Sequence, residues 1–266
     1  MPTKYIEVAS GNASGSNLGE LSNPYHYPND FATAEGAAGS GGTLYFLDGT
    51  YSFQTFDEAG LTYEALNLHG AIVNPTNTWD LGSASNSVTL RKFKVTPTNG
   101  NRIGLYGATS VIDQCHIKVA ASSYLIQVKT VGPKITNCLL ENDVSTAGNF
   151  LGDFWDDLSE FSGNTYFVSS LNGKSADSVD LDRGALSSAK NCIFASDDTA
   201  NNVIKASGNA STTANVGTNC CFFRFGTGNE TGGTNNIFAD PLFVDSANGD
   251  LRLRPSSPCI NAATTS

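Results

Sequence analysis

The chain has 266 residues, with 27 glycines and only 15% charged residues, a texture of short strands and turns and not of Lys-, Glu- and Leu-rich helices. Its 25 acidic residues outnumber 15 basic ones for a net charge of -10, which repels nucleic acid and anionic membrane surfaces at long range, so no nucleic-acid partner is expected. No run of ~18 apolar residues is present to cross a bilayer, so no membrane insertion is expected either.

Residues 1 to 40 read as an N-terminal cap. MPTKYIEVASGNASG lacks the apolar centre of a secretory leader, so no signal peptide is expected in this chain. NDFATAEGAAG, with Asn29 or Asp30 as the N-cap of an Ala-rich turn or two, predicts a short helix lidding the N-terminal end.

Residues 41 to 236 read as coils. The pairs Lys92-Phe93, Gln114-Cys115, Asn137-Cys138, Asn164-Thr165, Asn191-Cys192 and Asn219-Cys220 mark a repeat, their second members spaced by 22, 23, 27, 27 and 28 residues. Short stretches of alternating apolar and polar residues between Gly, Asn and Ser turns predict strands too short for a sandwich, stacked as a β-solenoid with ~4.8 Å between coils. The second member of each pair opens an inward column, Phe93, Cys115, Cys138, Thr165, Cys192 and Cys220. Two residues on comes another, Val95, Ile117, Leu140, Phe167, Phe194 and Phe222. The asparagines read as a ladder of stacked side-chain amides at one turn. The six cysteines match no zinc spacing, and a core of this size requires no disulfide framework, so they read as free, mostly buried packing thiols.

Upstream of each marker a second strand places Ile103 and Leu105, Ile126 and Val128, Phe154, Val179 and Leu181, and Ile204 and Ala206 inward. Its outward positions are Asp80, Gly104, Gln127, Asp153, Asp180 and Lys205, flanked by Tyr106, Lys129, Trp155, Asp182 and Ser207, with Asp156 and Arg183 following. This patch has the variety that a sugar site needs, and Trp155, Tyr106, Lys129, Asp153 and Asp180 are its glycan-binding candidates. The competing reading, a solvated acidic face with cross-coil pairing, is preferred. His26, His69 and His116 read as separate surface or turn residues.

A further outward set, Lys94, His116, Leu139, Tyr166, Ile193 and Cys221 followed by Phe223, is apolar over four coils. Leu139, Tyr166, Ile193 and Phe223 are thus candidates for an interface, or for a face covered by the C-terminal segment or a loop. Residues 237 to 266 read as that closing segment, and 1 to 266 as a single domain.

Two terminal stretches carry a family resemblance. GGTLYFLDGTYS at 41 to 52 looks like the opening coil, and FADPLFVDSANGDLRLRPSSPCINA at 238 to 262, with Asp240-Pro241, Gly249-Asp250 and Ser257-Pro258 in order, looks like the closing segment of the pectate-lyase-like superfold. The resemblance implies an all-β fold, a right-handed parallel β-helix (solenoid) with a short N-terminal capping helix and a C-terminal capping segment. It implies association too, since β-helices of viral fibres and spikes pack side by side as trimers.

Polysaccharide lyases of this fold neutralise a uronate carboxylate with a cation and abstract the adjacent proton with a basic group. Here that implies calcium at Asp153 and Asp180, with Lys129, Arg183 or Lys205 as base and Asp182 beside them. A hydrolase would need two carboxylates, Asp153 with Asp180 or Asp182. The chain departs from both patterns: the lyase arginine motif, its Trp-Asp-His signature and the polygalacturonase constellation are not found. The expectation is therefore a non-enzymatic structural or adhesion protein of a surface assembly of the phage-virion kind. It would sit on a virion or extracellular surface, partnered by copies of itself, a virion protein or a polysaccharide, with no cofactor unless calcium. The alternative is a small polysaccharide lyase acting on acidic glycans.

Overall fold

A computed structural model describes residues 2–8, 19–52, 55–97, 103–119, 126–143, 152–154, 158–169, 181–182, 189–196, 217–223 and 234–263. Its strands stack in parallel as a β-solenoid of about 5 turns. Each full coil gives one strand to each of three sheets. Sheet 1 runs through Thr43–Phe46, Thr62–Ala65, Thr89–Arg91, Val111–Asp113, Lys134–Thr136, Glu160–Ser162 and Ala189–Lys190. Sheet 2 holds Trp79–Leu81, Ile103–Leu105, Ile126–Val128, Gly152–Phe154 and Leu181–Asp182. Sheet 3 runs from Gly49–Tyr51 through Lys94–Val95, His116–Val119, Leu139–Asp143, Thr165–Ser169 and Ile193–Ser196 to Cys221–Phe223.

The Asn-Cys repeat marks the corner between sheets 1 and 3. There the chain turns on one residue, and His69, Lys92, Gln114, Asn137, Gly163, Asn191, Asn219 and Asn235 all have φ between 53 and 66°. Glycine and asparagine tolerate this left-handed conformation best, because a β-carbon crowds the following carbonyl and asparagine offsets the clash with local hydrogen bonding. The corner's N–H groups climb the stack: Gln114 donates to the Thr136 carbonyl (3.1 Å), Asn137 to Ser162 (2.9 Å), Gly163 to Lys190 (3.0 Å), Asn191 to Thr218 (3.0 Å) and Asn219 to Thr234 (2.9 Å). Backbone conformation is thus what the repeat encodes at this corner. At Asn137 the side-chain amide donates to Asp113 (2.9 Å), and the position stacked on it is Gly163, which has no side-chain amide.

The residue after each corner points inward, as expected for Phe93, Cys115, Cys138, Cys192 and Cys220, all at most 2% exposed. One coil departs from the expected register. Strand Leu139–Asp143 pairs Leu139 with Thr165, Leu140 with Tyr166 and Glu141 with Phe167. Gly163 therefore holds the left-handed corner, Asn164 occupies the cysteine column at 1% exposure, and Tyr166, not Phe167, faces the core at 0%. A polar side chain at such a depth must be hydrogen-bonded. Asn164 Oδ1 accepts the Cys138 N–H (2.8 Å) and its Nδ2 donates to the Ile135 carbonyl (2.9 Å). Asn236 repeats the arrangement after the last corner, accepting the Cys220 N–H (2.9 Å).

The N-terminal end is closed by a helix. The helix Phe31–Ala38 buries Phe31, Ala34 and Ala38 over the first coil. Gly42 makes this approach possible, because a β-carbon there would lie 2.0 Å from the Ala38 carbonyl oxygen. Asp30 is the N-cap residue, yet its carboxylate accepts the His26 N–H (3.1 Å) and no helix N–H. The region read as a cap also adds Thr3–Val8 and Tyr25–Tyr27 to the edge of sheet 1. Beneath the helix the core is aromatic, with Phe56 stacked on Tyr63 at 4.3 Å and Phe46 edge-on to Phe93 at 5.0 Å. Following the coils in sequence, Phe243–Asp245 and Asp250–Leu253 form an antiparallel hairpin. It sets Phe243, Leu251 and Leu253 against Phe167, Ala195, Ile193 and Phe223 on the outside of sheet 3.

Candidate functional site

The richest polar constellation among the described residues lies on the outer corner between sheets 1 and 3. In sheet 1, Glu64, Arg91, Asp113 and Thr136 stand in register on successive coils. Arg91 bridges Glu64 (3.3 Å) and Asp113 (3.2 Å), and Lys92 reaches the other Glu64 oxygen at 2.5 Å. Asp113 also accepts hydrogen bonds from Thr136 (2.8 Å), Asn137 (2.9 Å) and Gln114 (3.0 Å). Burial alone would raise its pKa, but the bonds from Asn137, Thr136, Gln114 and Arg91 outweigh it and hold the carboxyl below its usual value.

The chain of contacts continues over the corner. His69 Nε2 meets the Gln114 carbonyl at 3.2 Å, and the His69 and His116 rings lie 5.6 Å apart. His116 Nε2 meets Glu141 at 2.8 Å, and Lys118 approaches the same carboxylate oxygen at 3.5 Å. Glu141 is 4% exposed. Desolvation pushes its pKa up, and the hydrogen bond and charge of His116, aided by Lys118, bring it below the ordinary value. His69 is lowered, first by burial and then by His116. The histidines read as separate from sequence are thus partly joined: His69 holds the corner two coils before Gln114, and its ring meets that of His116 just past that corner. Imidazole beside carboxylate can move protons, but here the carboxylate is shared with Lys118. Its evident effect is to tie adjacent coils together.

The glycan patch expected on sheet 2 is partly placed. Tyr106 and Lys129 follow their strands at equivalent positions on neighbouring coils, their N–H groups donating to the Leu81 and Leu105 carbonyls at 2.9 Å each. The register sets Gly104 opposite Asp80 and Gln127, Gln127 opposite Asp153, and Asp153 opposite Asp182 instead of Asp180. A β-carbon on Gly104 would lie 2.1 Å from an Asp80 carboxylate oxygen, so the glycine gives that side chain its place. Gln127, read as outward and solvated, is 3% exposed. Trp155, Asp156, Val179, Asp180, Arg183, Ile204, Lys205, Ala206 and Ser207 lie outside the described residues. Among the described residues no three His, Cys, Asp or Glu side chains are grouped to hold a metal ion, and no helix is long and apolar enough to cross a membrane.

The four interface candidates separate. Tyr166 lies in the core, while Ile193 and Phe223 pack against the closing hairpin. Leu139 stays half-buried between His116 and Thr165 in the register of sheet 3, the one member of the set not explained by the chain's own packing. All six cysteines are free, five of them buried. No family model matches the chain, and no curated relative is similar to it.

Proposed function

We propose that this chain is a non-catalytic β-solenoid element of a surface assembly, with a structural or adhesive role. The observation that supports it is the engagement of Asp113: four side chains from three successive coils hold one carboxylate ionised, and Glu141 is held in the same way by His116 and Lys118. Groups used to brace coils are not poised to exchange protons with a substrate. A solenoid lidded at one end by a helix and covered on the outside of sheet 3 by a hairpin suits a part that transmits force or displays a surface. In keeping with the family resemblance, the assembly is of the phage-virion kind, and the chain associates with copies of itself, a trimer in the fibre arrangement, or contacts a polysaccharide.

The pairing of Asp153 with Asp182 on adjacent coils, one coil beyond Lys129, favours a second reading, an acidic-glycan lyase that uses a cation. Sedimentation velocity together with retention on a glycan array tests the first reading. An assembly element self-associates or is held by at least one acidic glycan, whereas a monomer retained by none contradicts it.

A further inference from the structure

The closing segment meets the last coil through two thiols that the cysteine ladder does not use. Cys115, Cys138, Cys192 and Cys220 lie in the core at 0 to 2% exposure. Cys221 instead lies on the outer side of sheet 3, in register with Ile193, and Cys259 lies in the turn that ends the closing segment. Cys259 is the half-buried member of the six. Both line a cleft of ≈ 70 Å³, with Ile237 and Ala262 beside them. Cys221 Sγ meets the Ala239 carbonyl at 3.4 Å, and the two thiols sit close enough that each shifts the titration of the other. The turn itself is held from within, by Ser257 Oγ on the Cys259 N–H (3.1 Å) and the Ser257 carbonyl on the Ile260 N–H (3.2 Å).

We propose that Cys221 and Cys259 form a redox clasp that low-molecular-weight disulfides oxidise, locking the closing segment onto the last coil. The Cys259 thiolate attacks one sulfur of the small disulfide. Its S–S bond breaks, one half departs as a thiolate and takes up a proton, and the other half stays bonded to Cys259. Cys221 then loses its proton and attacks Sγ of Cys259, forming the protein disulfide and expelling the second half as a thiol. Two protein thiols lose two electrons, and the small disulfide gains them as two thiols.

The environment assigns the two roles. The hydrogen bond from Cys221 lowers the Cys259 pKa to about 7 against the opposing effect of burial, with Ser257 helping. The same bond raises Cys221, so Cys259 is the thiolate and the attacking group, and Cys221 the resolving one. Cys192 also lines the cleft, but burial raises its thiol well above the ordinary value, and Cys115, Cys138 and Cys220 are at most 2% exposed.

Oxidised glutathione added to the reduced full chain tests this. Peptide mass spectrometry without reductant is expected to find one bond, Cys221 to Cys259. The melting temperature is expected to rise by about 5–10 °C, since the bond closes a loop of roughly 40 residues, and to fall back with dithiothreitol. Cys221→Ser is expected to trap glutathione on Cys259, and Cys259→Ser to remain unmodified. Free thiols after oxidation, a glutathione adduct that persists on Cys259 of the unaltered chain, or a bond between Cys192 and Cys220 in its place would each overturn the proposal.

Discussion

Asn164→Ala separates the observed register from the one the repeat suggests. In the observed register the substitution strips the Cys138 N–H of its acceptor and the Ile135 carbonyl of its donor, both beside a residue 1% exposed. A stranded buried N–H costs ~1–3 kcal/mol and a lost carbonyl partner about 1, so the expected loss is about 2–4 kcal/mol. In a chain of this size that corresponds to a melting temperature lower by roughly 5–15 °C, read by circular dichroism or calorimetry. Asn164→Cys, which continues the cysteine column, is expected to fall nearly as far, because a thiol replaces neither bond. Were Thr165 the inward residue, Asn164 would sit at the corner in solvent and its replacement would change stability by less than about 0.5 kcal/mol. A shift that small would refute the register.

At the left-handed corner, Asn137→Gly is expected to be tolerated and Asn137→Val to lose about 1–3 kcal/mol in chemical denaturation, since φ there is 53° and a β-branched residue resists it. The Asp113 pKa is lowered in the folded state, so its contribution is present at neutral pH and disappears as pH falls through and below the ordinary 3.8; Asp113→Asn is expected to flatten that acid limb in a pH series of melts. Glu35 behaves oppositely. Burial raises it from 4.5 to about 7 despite the Tyr63 hydroxyl at 2.6 Å, so the folded state holds its proton more tightly and stability falls as pH rises between those values. Glu35→Gln should therefore benefit the protein more at about pH 8 than at about pH 5, measured as the difference in melting temperature.

Much of the solenoid was legible because one coil-building rule acts locally and repeatedly. Lys92, Gln114, Asn137, Asn191 and Asn219 each precede an inward residue, and the spacing between them is one coil, or two where Gly163 takes the intervening corner. The rule misled at Ser162-Gly163-Asn164-Thr165, because glycine satisfies the corner as well as asparagine does, and the asparagine that follows looks like the marker. A one-residue slip turns every later side chain of a strand to the other face, which is why Tyr166 and Phe167 exchange places. The Asp153 pairing moved by two residues, from Asp180 to Asp182, so parity was kept while the partner changed. What brings His69 to His116, and what covers Ile193 and Phe223, are contacts between distant coils or with the closing hairpin. Strand alternation carries no signal for them; for the histidines, the two-coil separation in sequence was the available clue.

On the proposed reading, the ionisable groups on the outer faces brace the coils and turn over no substrate. The most direct test is to incubate the purified chain with a panel of acidic polysaccharides, with and without calcium, and follow unsaturated product by ultraviolet absorbance. No product is expected on any member of the panel in either condition. Calcium-dependent product that is lost in Lys129→Ala or Asp182→Asn, with the melting temperature unchanged, would contradict it and establish the lyase.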